Sequence, residues 1–273
     1  MAKNNYAVIG NPIQHSKSPQ IHSAFAKQEG VEIHYQRILA EPSTFKSIIN
    51  QFIEADGVGL NVTVPFKIKA YETCKQLDVF ANAAKAVNTI SFSSEGIWNG
   101  YNTDGIGLIT DLKNNKQIRI SNKRILILGA GGATRGIVLP LLQEKPSSIT
   151  IANRTIPKAT QLANDFATYG DIEGCGFDNL DNDNFDIVIN ATSASLSNEL
   201  PPVPNQIVTA NSICYDLAYS DEPTPFLLWA QSQGVTYCFD GIGMLIEQAA
   251  ESYFIWRGYR PITSSVFTLL RPK

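Results

Sequence analysis

The segment Asn61-Val62-Thr63-Val64-Pro65-Phe66-Lys67 brings an amide, a hydroxyl and an ammonium group close together in the chain. Its alternation of polar and β-branched residues predicts a strand, with Asn61 and Thr63 on one face and Val62 and Val64 on the other. Pro65 cannot continue a central strand, so Lys67 is expected at the strand end or in the turn that follows, where a cleft would lie. An ammonium group there could donate a proton to a carbonyl under reduction or stabilise the alkoxide that forms. The same pattern also fits a solvated strand edge with a surface lysine. Two further segments weigh toward chemistry. Ala86-Val87-Asn88-Thr89-Ile90 interrupts a short apolar strand with Asn88, and Asn99-Gly100-Tyr101-Asn102-Thr103-Asp104-Gly105 gathers amide, hydroxyl and carboxylate groups in a glycine-bounded turn.

A second chemical signal lies between an apolar strand, Arg124 to Leu128, and an apolar helix running through Leu142. The joining turn is Gly129-Ala130-Gly131-Gly132-Ala133, in which Gly129 permits the tight bend and Gly131 lets the backbone approach a pyrophosphate at the helix N-terminus. Thr134 fills the third glycine position of the dinucleotide fingerprint, and a bare glycine turn is also compatible with these residues. The next strand ends Ala152-Asn153-Arg154-Thr155, with no carboxylate where NAD sites hold one for the ribose. Arg154 offers a guanidinium fork to a 2′-phosphate, Asn153 and Thr155 offer neutral donors, and Lys158 adds charge one turn on. NADP is favoured over NAD. The competing reading of Arg154 is a surface arginine beginning a helix.

The elements that must carry these groups alternate. Tyr6 to Ile9, Ile33 to Ile38 and Gly59 to Val64 read as strands. Between and after them come helices from Ser18-Pro19 to Gly30, Ser43 to Glu54 and Ile68 to Leu77, the first with Ser18 as N-cap and Pro19 at the first helical position. In the second half the strands are Arg124 to Leu128, Ser148 to Ala152, Asp186 to Asn190 and Ser212 to Leu217, with a helix from Pro157 to Phe166. This is an α/β chain of two domains, an N-terminal one with a mostly parallel sheet and a Rossmann-like one. The expected boundaries are residues 1–102 plus 238–273 for the first and 103–237 for the second. The closing helix, from Asp240-Gly241-Ile242-Gly243-Met244 through Trp256, is the segment that could return to the first domain.

At 273 residues, 44% hydrophobic and 17% charged, the chain has the composition of a well-cored protein of two domains. A net charge of −3 gives no case for nucleic acid or an anionic membrane as main partner. The N-terminus lacks the pattern of a signal peptide, and no apolar run reaches membrane-spanning length, so a soluble cytoplasmic protein is expected. Cys74, Cys175, Cys214 and Cys238 are scattered without a Cys-x-x-Cys pair, and His15, His22 and His34 lack metal-ligand spacing; no metal is assigned.

With these residues in hand, the chain resembles the NADP-dependent shikimate dehydrogenases of the shikimate/quinate dehydrogenase family over nearly its whole length. The matching segments are Ser16-Lys17-Ser18-Pro19, Asn61 to Lys67, Ala86 to Thr89, Asn102-Thr103-Asp104-Gly105, the Gly129 turn, Asn153-Arg154-Thr155, Asn190-Ala191-Thr192-Ser193 and Asp240 to Met244. Two departures are Ser195, where the family usually has glycine, and Thr134, where it usually has alanine or serine.

The resemblance implies reversible reduction of 3-dehydroshikimate by NADPH, a step toward aromatic amino acids. It further implies Lys67 and Asp104 as the catalytic pair, Ser16 and Ser18 for the substrate carboxylate, and Asn61, Thr63, Asn88, Asp104 and Gln248 for its hydroxyls. Tyr219 is placed near the nicotinamide end. For the cofactor it implies Gly129, Ala130, Gly131, Gly132, Ala133, Asn153, Arg154, Thr155, Lys158, Thr192, Leu217, Gly241 and Met244. The active site is expected in the cleft between the domains, in a monomer or homodimer acting on a small molecule. Lys67 either transfers the proton or mainly stabilises charge. From local sequence, the Ser18 hydroxyl is spent capping its own helix. Two other functions stand beside this one: a quinate/shikimate dehydrogenase of broader substrate and cofactor use, and a non-catalytic NADP-binding sensor.

Overall fold

The computed structural model describes residues 4–93, 95–180 and 184–271. The chain forms two compact units, Met1–Leu108 with Leu245–Lys273, and Ile109–Met244.

In the first unit the order is β1 (Asn5–Gly10), α1 (Ser18–Glu29), β2 (His34–Leu39), α2 (Phe45–Glu54), β3 (Gly57–Val62) and α3 (Lys67–Thr73). There follow β4 (Gln76–Leu77), α4 (Val79–Ala84), β5 (Thr89–Phe92), β6 (Trp98–Tyr101) and α5 (Asp104–Thr110), the last crossing into the second unit. That unit holds β7 (Arg124–Leu128), α6 (Gly132–Gln143), β8 (Ser148–Ala152), α7 (Ile156–Phe166), β9 (Ile172–Cys175), β10 (Ile187–Asn190), β11 (Ile213–Asp216), α8 (Pro225–Ser232) and β12 (Tyr237–Phe239). Helix α9 (Ile242–Arg257) belongs to the first unit from Leu245 onward, as does α10 (Ser264–Leu270).

The first sheet runs β2-β1-β3-β5-β6-β4. β1 is parallel to β2 and β3, and β4 to β6, while β5 is antiparallel to both β3 and β6. This topology brings the ends of β1, β3 and β6 and the start of β5 to one end of the sheet, where Asn61 lies opposite Thr89 and Thr89 opposite Tyr101. Apolar side chains of β1, β3 and β5 pack with Phe45, Ile49 and Phe52 of α2 to form the core. Helix α9 is tied in by side chains: Trp256 donates to the Ile90 carbonyl at 2.9 Å, and Arg257 pairs with Glu29 of α1 at 2.8 Å. Gly59 leaves room for that indole, because a Cβ there would stand 2.5 Å from it.

Several expected elements end differently. β3 stops at Val62, so the alternation does not extend to Thr63 and Val64. The chain is already turning there: the Thr63 amide still bonds the Ile9 carbonyl, but Val64 is exposed and its carbonyl accepts from Asn11. Lys67 is neither strand end nor turn; it is the first residue of α3. That helix ends at Thr73, short of Leu77, because Lys75 and Asp78 bond the carbonyls of Trp98 and Gly100 and so draw the chain onto the sheet. Asp78 then caps α4, accepting from the Ala81 amide at 2.7 Å. Asn99 to Gly105 is not a turn but the end of β6 followed by the start of α5. Ser18 is not the N-cap of α1; Lys17 holds that position without a side-chain cap bond, and it is the Ser16 hydroxyl that accepts the Ser18 amide at 3.3 Å.

The second sheet is parallel throughout, in the order β12-β11-β10-β7-β8-β9. Numbered from β7, this is the doubly wound dinucleotide-binding order, whose switch point falls between β7 and β10. The strands are buried on both faces, as the unbroken apolar run Arg124-Ile125-Leu126-Ile127-Leu128 requires. Short strands β9 and β12, which lack a distinctive pattern, complete the sheet.

The core of the first unit also encloses a histidine. His22 on α1 is fully enclosed by aromatic rings, stacked on Tyr35 at 4.5 Å and 10° with Phe25, Tyr253 and Trp256 around it. Among the described residues neither ring nitrogen has a hydrogen-bond partner. Burial holds its pKa down to about 3 from 6.5, opposed only by nearby Asn61. The folded state thus excludes a proton that the unfolded chain takes up below pH 6.5. Stability is present in full above that value and falls by about 1.4 kcal/mol per pH unit on acidification toward the folded pKa. Urea midpoints of the wild type are expected to drop between about pH 7 and pH 5, and those of His22→Phe to stay flatter; parallel profiles would show that His22 carries no such linkage.

Candidate active site

The groups singled out in the first unit meet at the sheet end just described. Lys67, at the start of α3, has its backbone fixed by a bond from the Val87 amide to its carbonyl at 2.9 Å. Its Nζ donates to Asp104 Oδ2 at 2.5 Å. Asn102, after β6, accepts the Asp104 amide on its side-chain oxygen and donates to the Ala86 carbonyl, which fixes where α5 begins. Asp104 itself is 5% exposed, and its other oxygen accepts from Asn88 Nδ2 at 2.8 Å. A buried carboxylate needs such partners, and here it has one cationic and one neutral donor.

Asn88 is a hub. Its oxygen accepts from the Thr103 amide and from the hydroxyls of Thr103 and Thr89, all within 3.2 Å. Its amide also bonds Thr103 Oγ1 at 2.9 Å and lies 3.4 Å from Gln248 Oε1. Both ends of Asn88 are engaged inside the protein. Asn61 is equally enclosed: Tyr35 donates to its oxygen at 2.7 Å, while its amide reaches Thr89 at 3.2 Å and Ser252 at 3.1 Å. Ser252 Oγ also touches Thr89 at 2.7 Å and bonds the Gln248 carbonyl. Sequence reading missed Ser252 and Tyr35 and gave Thr103 no role of its own; a polar pair four residues apart on the apolar helix α9, Gln248 and Ser252, is the signal that could have found the first.

Ser16 and Ser18 stand together, Oγ to Oγ at 3.2 Å, and Arg37 bonds the Ser16 carbonyl through Nε and a terminal nitrogen at 3.0 and 2.6 Å. The arginine was not foreseen either. Thr63 sits over Gly10, where a Cβ would lie 2.4 Å from its methyl group. These hydroxyls lie at the N-terminus of a 12-residue helix, a place that favours an anion. A donor cluster at one end and a cation held by a carboxylate at the other can bind a small polyhydroxylated acid and protonate its oxygen.

In the second unit Gly129 has φ +100°, a conformation that favours glycine, and a Cβ there would stand 3.2 Å from the Ala191 carbonyl and the Thr192 methyl group just past β10. At Gly131 and Gly132 a Cβ would meet nothing within 4 Å, and no side chain caps α6. Open backbone amides at the start of a 12-residue helix fit a pyrophosphate. Ala130 and Ala133 flank them with small side chains. Thr134 is accommodated by burial and a bond from its hydroxyl to the Gly129 carbonyl at 2.8 Å. At the end of β8, Asn153 bonds the Thr155 carbonyl, and Arg154, Thr155 and Lys158 are exposed around the start of α7. The exposed guanidinium and ammonium fit a phosphate more than a ribose diol.

Thr192 bonds the Asn190 side-chain oxygen at 2.7 Å, and the Leu217 amide bonds the Asn190 carbonyl. Buried Asp216 ties both loops together, accepting from Asn190, Ser195 and Thr224 at 3.2, 2.6 and 2.6 Å. Ser195 thus supplies a bond that glycine could not. Gly241 and Gly243 mark two close approaches: a Cβ would lie 2.1 Å from the Leu217 carbonyl in the first case and 2.1 Å from the Asp111 carboxylate in the second. Asp111 accepts from Tyr215, whose oxygen accepts the Met244 amide at 3.2 Å. Tyr219 follows β11 half-buried, and burial raises its pKa. Among the described residues no cluster of potential ligands could hold a metal ion.

Three family models match: the shikimate dehydrogenase substrate-binding domain over residues 8–90, shikimate/quinate 5-dehydrogenase over 111–199, and the shikimate 5′-dehydrogenase C-terminal domain over 241–262. The chain is 51% identical to a shikimate dehydrogenase (NADP(+)) of Janthinobacterium over 98% of its length and 97% of the relative's. It is 49% identical to that of Chromobacterium violaceum, over 97% of each. A crystal structure of the Thermus thermophilus shikimate 5-dehydrogenase in complex with NADP(H) and shikimate is 28% identical, covers 95% of each chain and superposes with a TM-score of 0.85.

Proposed function

The chain belongs to the shikimate dehydrogenase family, and we infer that it catalyses the reversible NADPH-dependent reduction of 3-dehydroshikimate to shikimate, on the way to the aromatic amino acids. The observation that carries this reading is the Lys67–Asp104 pair, set at 2.5 Å and braced by Asn88, in a chain so close to named relatives.

Bound NADPH supplies a hydride to the substrate carbonyl carbon. The protein's own groups do the rest. An ammonium has three protons, and Lys67 commits one to Asp104, leaving donors for the substrate oxygen as negative charge develops there. Asp104 orients the lysine and is itself oriented by Asn88 and the Asn102-capped start of α5. Ser16 and Ser18 take the substrate carboxylate at the helix start, and Asn61, Thr63, Asn88, Asp104 and Gln248 face its hydroxyls. The Gly129 to Ala133 turn holds the pyrophosphate, and Asn153, Arg154, Thr155 and Lys158 hold the 2′-phosphate end. Thr192, Leu217, Gly241 and Met244 surround the nicotinamide end, with Tyr219 nearby.

No helix of the described residues is long and apolar enough to cross a membrane, and the proposed setting is the cytoplasm, as a monomer or homodimer. The test is NADPH absorbance on mixing protein with shikimate and NADP, beside quinate and NAD. Rapid NADPH formation with shikimate is expected. A folded protein that binds NADP yet turns over neither substrate would overturn the dehydrogenase reading, and equal rates with quinate or NAD would move it to the broader enzyme.

A further inference from the structure

We propose that Tyr35 is a positioning residue for the substrate, holding the Asn61 carboxamide in the one orientation that presents it correctly. The inference rests on the reading of Asn61 as a substrate-binding group. A carboxamide can turn end for end at little steric cost, so its orientation is set by its neighbours. On one side of Asn61 stand the hydroxyls of Thr89 and Ser252, at 3.2 and 3.1 Å; their protons go to the Asn88 oxygen and the Gln248 carbonyl, so both accept from the Asn61 NH2. These acceptors call for the NH2 on that side and leave the oxygen to be met on the other. The Asn88 carbonyl, at 3.3 Å, is a third acceptor on the same side. Tyr35 holds the other side: its hydroxyl donates to Asn61 Oδ1 at 2.7 Å, and without that donor the oxygen end is left unheld against the three acceptors opposite.

The phenol is built to keep that place. Its ring stacks on His22 at 4.5 Å, and His22, enclosed among aromatic rings with no partner for either nitrogen among the described residues, serves as a flat neutral wall. Burial lifts the Tyr35 pKa well above its ordinary value, with a bond from Ser18 opposing, so the hydroxyl keeps its proton. Ser18 belongs to the pair assigned to the substrate carboxylate. One phenol therefore neighbours both the carboxylate end and the hydroxyl end of the site.

The experiment is a double-mutant cycle of Tyr35→Phe and Asn61→Ala, read as kcat and as KM for shikimate and NADP separately. Phenylalanine keeps the ring and its stack on His22, and circular dichroism with the thermal midpoint checks the fold. Tyr35→Phe is expected to raise shikimate KM about fivefold, the factor that one hydrogen bond corresponds to, with kcat within about twofold and NADP KM unchanged. In the Asn61→Ala background the same change is expected to add nothing. Additive losses, an unchanged shikimate KM, or a fall in kcat alone would overturn the proposal while leaving Asn61 as a substrate ligand. If Asn61→Ala itself leaves shikimate KM unchanged, the reading of Asn61 fails first and the proposal with it.

Discussion

Lys67→Ala is expected to lower kcat by about 10²–10⁴-fold, the range a positioned general acid or base supplies, with little change in shikimate KM. The split follows from the geometry. In the proposed site binding is spread over groups that the change does not touch, Ser16 and Ser18 at one end and Asn61, Thr63 and Gln248 elsewhere. What is lost is the donor aimed at the oxygen that becomes charged, and an interaction made mainly in the transition state appears in kcat. The substitution also leaves Asp104, 5% exposed, with only Asn88 as side-chain donor, so folded yield and thermal midpoint are measured alongside. Lys67→Arg then separates the two roles open to the lysine. A guanidinium retains the positive charge but does not give up a proton at neutral pH. Activity well above that of the alanine variant assigns charge stabilisation, and activity equal to it assigns proton transfer. A large loss of shikimate binding with near-normal turnover would remove Lys67 from the chemistry altogether.

What the sequence disclosed and what it withheld divide along the reach of the interactions. The strands of the second unit were legible because strands buried on both faces are short unbroken apolar runs, and the Gly129 turn sat in the one context that gives such a turn meaning. The first unit was less legible. β3 ends at Val62 because the chain turns over Gly10, and α3 ends at Thr73 because residues 75–78 find carbonyls of β6, both decided by partners distant in sequence. The candidate site shows the same division. Lys67, Asn88 and Asp104 lie in segments dense with polar groups, so their types drew notice. Ser252 and Tyr35 sit singly in ordinary helix and strand sequence, and only the fold sets them against Asn61. Ser18 was misread as an N-cap because Ser-Pro is a strong local signal. Lys17 takes that place, and it is the Ser16 hydroxyl that bonds the Ser18 amide.

On the proposed reading cofactor choice rests on Arg154, and Arg154→Ser is expected to raise KM for NADP about 10- to 100-fold while kcat/KM with NAD changes little. The reason is chemical. A charged hydrogen bond to a phosphate is worth about 1.5–3 kcal/mol, which corresponds to roughly that factor, and NAD has no 2′-phosphate to lose it. The exposed position of Arg154 makes its strength depend on salt, so NADP KM in the wild type is expected to rise with ionic strength and the variant's to rise less steeply. Lys158, exposed two residues into the helix that follows, is left in the variant and keeps part of the attraction, as a point charge without the planar fork. Serine adds no carboxylate, so it weakens NADP without building an NAD site; Arg154→Asp adds the missing ribose ligand and is expected to reverse the preference. Equal losses for NADP and NAD in the serine variant would mean that Arg154 acts on the shared part of the dinucleotide or on the start of α7, and the 2′-phosphate contact would have to be sought at Lys158 or Thr155.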